Sequence, residues 1–276
     1  MNNLFKFVLI TIFAISPKAF SQQIIEQINF TGNKKTKTSF LKRLIKSKEG
    51  ETLNLEKLNL DIDRLERLDG IAHASQTVKE TEEGAVVSFK IEENFSIIPG
   101  LNIGQANDDS FAYRVSVFEF NALGQNIIFG GFFQKEVFTS YGVFLEHPYL
   151  LTNKLGLGVN YQNLTTQEPI FFPSQQVNYN YTRKGPEFTL FYEKDFNNQF
   201  EFSTKIFNEE YKIIENDEQN EGITNPIETD NRGVMLTGVY NYIDIDTEYH
   251  QFKGIRNSLQ FQYFNNDSDQ IQTDYI

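Results

Sequence analysis

Cysteine and tryptophan are absent from this sequence of 276 residues, and histidine occurs only three times. Without cysteine there is no disulfide framework, no thiolate nucleophile and no thiolate metal site. The histidines, His73, His147 and His250, lie in three separate segments without metal-ligand spacing, which favours structural roles. No Gly-x-Ser-x-Gly nucleophile elbow occurs either. We therefore expect a protein that is not an enzyme and holds no metal or cofactor.

Positive charge is also scarce, with 25 Lys and Arg against 37 Asp and Glu and a formal net charge of -12. Such a chain repels a phosphate backbone, and it has no basic stripe interleaved with aromatic residues, so we expect no nucleic-acid partner. The hydrophobic fraction of 39% is low for a membrane protein. A β-barrel, however, faces lipid with only every second residue, so this average does not argue against a membrane.

Long apolar runs are missing except at the N-terminus, where residues 7–15 form one behind Lys6. A helix needs roughly 20 apolar residues to cross a hydrocarbon core of about 30 Å, so this run is too short for a transmembrane anchor. Ala19 and Ser21 supply the small residues of a signal-peptidase site. We expect residues 1–21 to be a cleaved signal peptide.

Residues 22–94 begin and end with predicted strands. Residues 24–30 alternate, with Ile28 and Phe30 on one face and Ile25 on the other, before a turn. Residues 71–78 and 85–91 then predict a hairpin. Between these strands the sequence predicts two helices, which makes the order β-α-α-β-β.

The first predicted helix starts with Thr38 or Ser39 as its N-cap, and the second has Asn54 as its N-cap and Gly70 after its end. Apolar residues spaced three and four apart predict the buried stripe of the second helix: Leu55, Leu58, Ile62, Leu65 and Leu68. Charged residues predict its solvated outer face: Glu56, Lys57, Asp61, Asp63, Arg64, Glu66 and Arg67. One sheet covered by two helices follows from this pattern, and any small two-layer α+β domain would fit it.

This segment resembles the POTRA module of outer-membrane assembly and secretion proteins. The resemblance rests on the element order and on three motifs: Ile28-x-Phe30-x-Gly32-Asn33, Leu65-x-x-Leu68-x-Gly70-Ile71 and Val87-x-Phe89-x-Ile91-x-Glu93. It implies that client polypeptides or partner subunits bind by adding a strand to a sheet edge. The candidate edge comprises Ala72, His73, Ala74, Ser75, Gln76, Thr77 and Val78.

Residues 95–276 alternate with period two, one face aliphatic or aromatic and the other polar or glycine. The pattern predicts nine strands: 95–104, 112–120, 125–136, 139–147, 154–165, 186–194, 200–213, 232–243 and 255–265. A tenth is expected to begin near Ile271. Strands of a soluble sandwich average about 5 to 6 residues, whereas these approach the length that a tilted strand needs to cross a bilayer. We therefore expect part of an antiparallel transmembrane β-barrel, with 166–185 and 214–231 as long outer loops.

This half resembles the BamA-like superfamily of 16-stranded barrels. The matching features are Ile98-Pro99-Gly100, Asn121-Ala122-Leu123-Gly124-Gln125, Glu146-His147-Pro148-Tyr149 and Phe252-Lys253-Gly254. The family's Arg-Gly-aromatic motif on a lumenal loop and its terminal aromatic strand are not found in these 276 residues. We therefore expect a chain truncated within the barrel.

Together these features imply an outer-membrane protein with its N-terminal domain, residues 22–94, in the periplasm. The resemblance implies insertion, assembly or secretion of polypeptides, with outer-membrane lipids, unfolded or β-strand clients, and periplasmic or lipoprotein subunits as partners. The alternative is a passive pore or surface adhesin with a small closed barrel.

Overall fold

The computed structural model describes residues 23–106, 109–172, 176–215, 217, 220–222, 228–248 and 251–267. The expected signal peptide, His250 and the expected tenth strand lie outside these residues. The N-terminal domain consists of a three-stranded sheet and two helices: β1 (Ile25–Thr31), α1 (Thr38–Leu44), α2 (Leu55–Glu66), β2 (Ile71–Glu80) and β3 (Ala85–Glu93). The predicted order β-α-α-β-β is confirmed.

The small sheet has the order β1-β3-β2, with β1 parallel and β2 antiparallel to the central β3. The sequence prediction put Ile24 and Ile28 on one face of β1 and Ile25 on the other, which is wrong. A register shift between Ile25 and Gln27 turns Ile25 and Ile28 together into the core, while Ile24 is 49% exposed. A bulge of this kind breaks the period of two that the prediction assumed.

The helices differ from the prediction in their caps and in their faces. Lys37 occupies the N-cap of α1, so Thr38 is its first helical residue rather than its cap, whereas Asn54 caps α2 as predicted and accepts a hydrogen bond from the Lys57 N–H. Leu55, placed on the buried stripe by its spacing, is 59% exposed because it begins the helix beyond the edge of the core. Asp61, placed on the solvated face, is fully buried and accepts hydrogen bonds from the backbone N–H groups of residues 46 and 47.

The core of this domain lies between the helices and the sheet. Phe89 at its centre stacks on Phe30, with 5.2 Å between ring centroids. The buried apolar residues that pack together as this core are Ile25, Ile28, Phe40, Leu41, Leu44, Ile45, Leu58, Leu65, Leu68, Ile71, Ala74, Val87, Phe89 and Ile91.

The large sheet contains nine antiparallel strands, each paired with its neighbours in sequence. They are β4 (Ile97–Gln105), β5 (Phe111–Ala122), β6 (Ile127–Lys135), β7 (Thr139–His147), β8 (Leu155–Phe171), β9 (Gln176–Glu193), β10 (Asn198–Ile213), β11 (Thr229–Glu248) and β12 (Gln251–Asn266). The nine predicted strands are confirmed, as a partial barrel wall behind a small α+β domain. Among the described residues no helix is both long enough and apolar enough to cross a membrane.

The prediction of an outer loop at residues 166–185 is wrong, because most of these residues belong to paired strands. β8 and β9 stay in register from Leu155↔Tyr192 as far as Phe171↔Gln176. Polar residues occupy both faces here, so alternation no longer marks the strand although the backbone ladder continues. The second expected loop, 214–231, is shorter than predicted because β11 starts at Thr229.

The two faces of the large sheet differ in chemistry. On one face, called the apolar face, exposed side chains lie next to each other across strands, as in the pairs Val159↔Phe188 and Phe202↔Leu190. Its exposed members include Leu101, Val117, Leu145, Leu157, Val159, Phe188, Leu190, Phe202, Ile206, Leu236, Leu259 and Phe261. The opposite face has cross-strand polar contacts, such as Thr189 Oγ1 to Ser203 Oγ at 2.9 Å. One face of the large sheet is thus apolar and exposed, while on the opposite face polar side chains contact each other.

Candidate functional site

The two edges of the small sheet are not equally accessible. The first half of β1 is covered by the segment that precedes α2: the Ile25 N–H donates to the Glu51 carbonyl at 2.8 Å, and the Gly50 N–H donates to the Ile25 carbonyl at 2.7 Å. The Ile28 N–H donates to the Glu49 carboxylate at 2.9 Å. A strand joining the sheet on this side would have to displace that segment, so β2 is the better candidate edge.

The backbone of β2 points alternately toward β3 and away from it, as in any antiparallel ladder. The Thr81 N–H donates to the Gly84 carbonyl in the hairpin turn, which makes the odd-numbered residues of β2 the ones bonded to β3. The outward groups are therefore those of Ala74, Gln76, Val78 and Glu80. Within the described residues the outward backbone groups of Gln76, Val78 and Glu80 have no hydrogen-bond partner.

Ala74 differs from the other outward residues. Its N–H donates to Glu66 Oε1 at 2.9 Å, and the same oxygen lies 2.7 Å from His73 Nδ1. The Glu66 side chain is only 11% exposed. Glu66 thus occupies the place on the sheet edge that the carbonyl oxygen of an added strand would take.

All seven residues of the candidate edge, 72–78, lie in β2. The structure brings Gln76 close to α2, where its Nε2 donates to Asn59 Oδ1 at 3.1 Å. Sequence reasoning missed Glu66, because its pattern marks it only as one of several charged residues on a helix face. No signal in the sequence pairs it with a strand five to eight residues further on.

The N-terminal domain is docked against the large sheet at the end that carries the β5–β6, β7–β8 and β9–β10 turns, called here the near end. At the β5–β6 turn, Lys35 Nζ lies 2.7 Å from Glu119 Oε2 and 2.6 Å from Ser96 Oγ. The Lys37 N–H donates to the Gly124 carbonyl at 2.9 Å. Gly124 has a φ of +65°, and a Cβ there would lie 2.1 Å from the Lys35 carbonyl oxygen, so only glycine permits this approach.

Two arginines of α2 and its C-cap hold the β9–β10 turn. Arg64 Nη1 lies 2.5 Å from Glu193 Oε1, and both side chains are buried, at 5% and 8% exposure. Arg67 stacks on the Phe196 ring at 3.3 Å from the centroid and donates to the Phe196 carbonyl. A buried ion pair and a stacked guanidinium thus join α2 and its C-cap to the β9–β10 turn.

A cavity of about 720 Å³, called the mouth cavity, lies between the domain and the near end of the large sheet. Its walls include Glu66, Ile71 and Ala72 from the domain and Tyr149 from the β7–β8 turn. Burial raises the pKa of Tyr149 to about 12, so its phenol stays neutral. Because Glu66 lines this cavity and also covers Ala74, it lies where the β2 edge meets the cavity.

Comparison with known families identifies the first domain. Residues 23–94 match the family model POTRA, described as "Surface antigen variable number repeat". Residues 23–94 are a POTRA domain. The match covers the small sheet, both helices and the open β2 edge, and it confirms the expectation drawn from the sequence motifs.

Solved structures share the fold of the POTRA domain together with the large sheet. BamA from Haemophilus ducreyi lacking POTRA domains 1–3 is 18% identical with a TM-score of 0.59, over 88% of this chain and 48% of that one. CdiB from Acinetobacter baumannii is 15% identical with a TM-score of 0.53, over 89% and 46% of the two chains. CdiB from Escherichia coli is 12% identical with a TM-score of 0.54, over 89% and 45%. The chain has the BamA-like fold and spans less than half the length of these structures.

Proposed function

We propose that the protein acts at the outer membrane in the insertion, assembly or secretion of polypeptides. One observation carries this proposal: a POTRA domain with an open β2 edge is docked against the near end of a sheet that has one exposed apolar face. Barrel strands that cross a membrane present apolar residues to lipid at alternate positions. Unpaired backbone groups on an edge strand recruit extended segments by β-augmentation. Unfolded or β-strand clients are therefore the proposed ligands of residues 72–78.

The proposed location follows from the same arrangement. Residues 1–21 act as the export signal, residues 22–94 lie in the periplasm, and the strands from residue 95 onward belong to the barrel. Outer-membrane lipids cover the apolar face, and periplasmic or lipoprotein subunits are further proposed partners. A passive pore or adhesin gives no role to the β2 edge, and we do not favour it.

Lysine substitutions on two positions of β10 test which face contacts lipid. Ile206 lies on the apolar face and is exposed, and Ser203 lies on the opposite face. Ile206→Lys is expected to destabilise the folded protein in lipid by about 2–4 kcal/mol, the cost of a lysine facing the bilayer midplane. Ser203→Lys should cost much less, since the native Lys205 already occupies that face. Urea unfolding in vesicles measures both, and equal costs would contradict the assignment.

A proline on β2 tests strand addition. Val78→Pro removes an outward N–H that β3 does not use, so the small sheet should remain intact, as prolines are tolerated on edge strands. Binding of an extended client peptide should fall about 2- to 10-fold, the value of one lost hydrogen bond. Val78→Thr keeps the backbone donor and serves as the matched control. Equal affinity of the two variants, measured by fluorescence anisotropy with the full chain, would contradict binding at this edge.

The cellular role has its own test. Depleting the protein in its own cell is expected to lower the level of other outer-membrane proteins or of a secreted protein. Val78→Pro, supplied in place of the native protein, should reproduce part of that loss. Normal levels of every outer-membrane and secreted protein after depletion would refute the proposed function.

A further inference from the structure

The β2 edge is divided into two parts by Glu66. On the side away from the large sheet, the outward groups of Gln76, Val78 and Glu80 are open over five residues of strand. On the side toward the large sheet, the next outward donor, that of Ala74, is already bonded to Glu66. Beyond it the strand passes Ala72 and Ile71, which line the mouth cavity.

We propose that Glu66 is a stop that sets the register of an added polypeptide strand and keeps it out of the mouth cavity. This inference rests on the proposed addition of client strands to β2. The occupant is an extended polypeptide segment, bound through its backbone opposite residues 76–80. Glu66 is a positioning residue here, since it acts by occupying Ala74 rather than by contacting the client.

The strength of the stop comes from the type of acceptor. A carboxylate accepts a stronger hydrogen bond from a backbone N–H than the neutral carbonyl of an added strand does. Glu66 also contacts His73 Nδ1, so displacing it breaks two contacts at once. Its side chain is nearly buried, and a displaced carboxylate would need a new partner. An added strand therefore gains nothing by pairing past Gln76 until Glu66 moves.

The geometry gives this stop a role in the order of events. A client strand is captured by residues 76–80 of β2, away from the large sheet. Its entry to the mouth cavity requires the part of β2 from Ala74 to Ile71, toward the large sheet. Because Glu66 lies at the border of the two, its rotation away from Ala74 would lengthen the usable edge into the cavity. Binding and delivery of a client are thereby separated by one side chain.

Disulfide trapping can locate the bound strand because the chain has no cysteine of its own. The full chain in detergent receives one cysteine, either by Lys79→Cys on the open part or by Ala72→Cys beyond the stop. The probe is a synthetic peptide copying residues 255–264, with a central cysteine in place of Ser258. Glu66→Ala removes the acceptor, and Glu66→Gln, which keeps an acceptor oxygen for the Ala74 N–H, is the matched control.

In the otherwise native chain, we expect the yield at Lys79→Cys to exceed that at Ala72→Cys by about 2- to 10-fold, the factor that one hydrogen bond is worth. Glu66→Ala should bring the Ala72→Cys yield close to that at Lys79→Cys, while Glu66→Gln, whose neutral amide oxygen accepts a weaker hydrogen bond than the carboxylate, should give a ratio between the native one and that of Glu66→Ala. Equal yields without any change at Glu66, or a ratio unaffected by Glu66→Ala, would overturn the stop. The first comparison needs no variant of Glu66, so equal yields there overturn the stop even where Glu66→Ala unfolds. No trapping at either position would instead refute strand addition itself.

Discussion

Arg64→Ala is expected to destabilise the POTRA domain in its docked position by about 3–5 kcal/mol. The variant leaves the Glu193 carboxylate, only 8% exposed, without the ion-pair partner that lies 2.5 Å away. Removing one member of a buried pair costs far more than the net value of the pair, because the remaining charge is uncompensated. Slow hydrogen exchange of the β3 amides reports the free energy of opening and measures the loss.

A second cation on the same helix provides the control for Arg64→Ala. Lys57 Nζ lies 2.5 Å from Glu51 Oε2, but the two side chains are 35% and 45% exposed. Lys57→Ala should therefore cost no more than about 1 kcal/mol. Arg64→Ala combined with Glu193→Ala should cost less than the sum of the single variants, since neither charge is then left alone. Equal losses for Arg64→Ala and Lys57→Ala would show that the domain is not held by this pair.

The strands of the large sheet could be predicted from the sequence because strands with one apolar and one polar face follow a simple alternation. Alternation identified the core of every strand, including Leu157 and Val159 on one face with Gly158 on the other. The rule fails where the environment changes. From Thr165 to Glu168 both faces of β8 are polar, so the alternation is lost although the pairing with β9 continues to Phe171. Backbone hydrogen bonding needs no side-chain pattern, so the sequence prediction underestimated the lengths of β8 and β9.

The residues of the junction could not be predicted for a different reason. Arg64 and Glu66 have the sequence signature of a solvated helix face, yet each has a partner elsewhere in the chain, Glu193 for the first and the Ala74 N–H for the second. Asp61 is the same case, buried by the segment that follows α1. Charges on a helix are placed by how the helix docks, and a single sequence does not show docking. The edge strand itself was predictable, since it follows from element order alone.

The other large effect is expected from Phe89→Ala, at about 3–5 kcal/mol of the unfolding free energy of the POTRA domain. Phe89 is fully buried and sits in the central strand of the small sheet, in register with Phe30 on one side and Gln76 on the other. Truncating it removes the stacked pair with Phe30 and leaves a cavity that the sheet cannot close. Phe95→Ala, at a site that is 81% exposed, is the matched control and should change stability by no more than about 0.5 kcal/mol.

The functional consequence of Phe89→Ala separates the two halves of the protein. The small and large sheets share no strand, so loss of the POTRA core should leave the ladder from β4 to β12 intact. Client peptide binding should then disappear while the strands of the large sheet keep their slow hydrogen exchange. Exchange measured on both sheets, together with peptide anisotropy, checks this. Peptide binding that survives complete opening of β3 would place the client site on the large sheet rather than on the β2 edge.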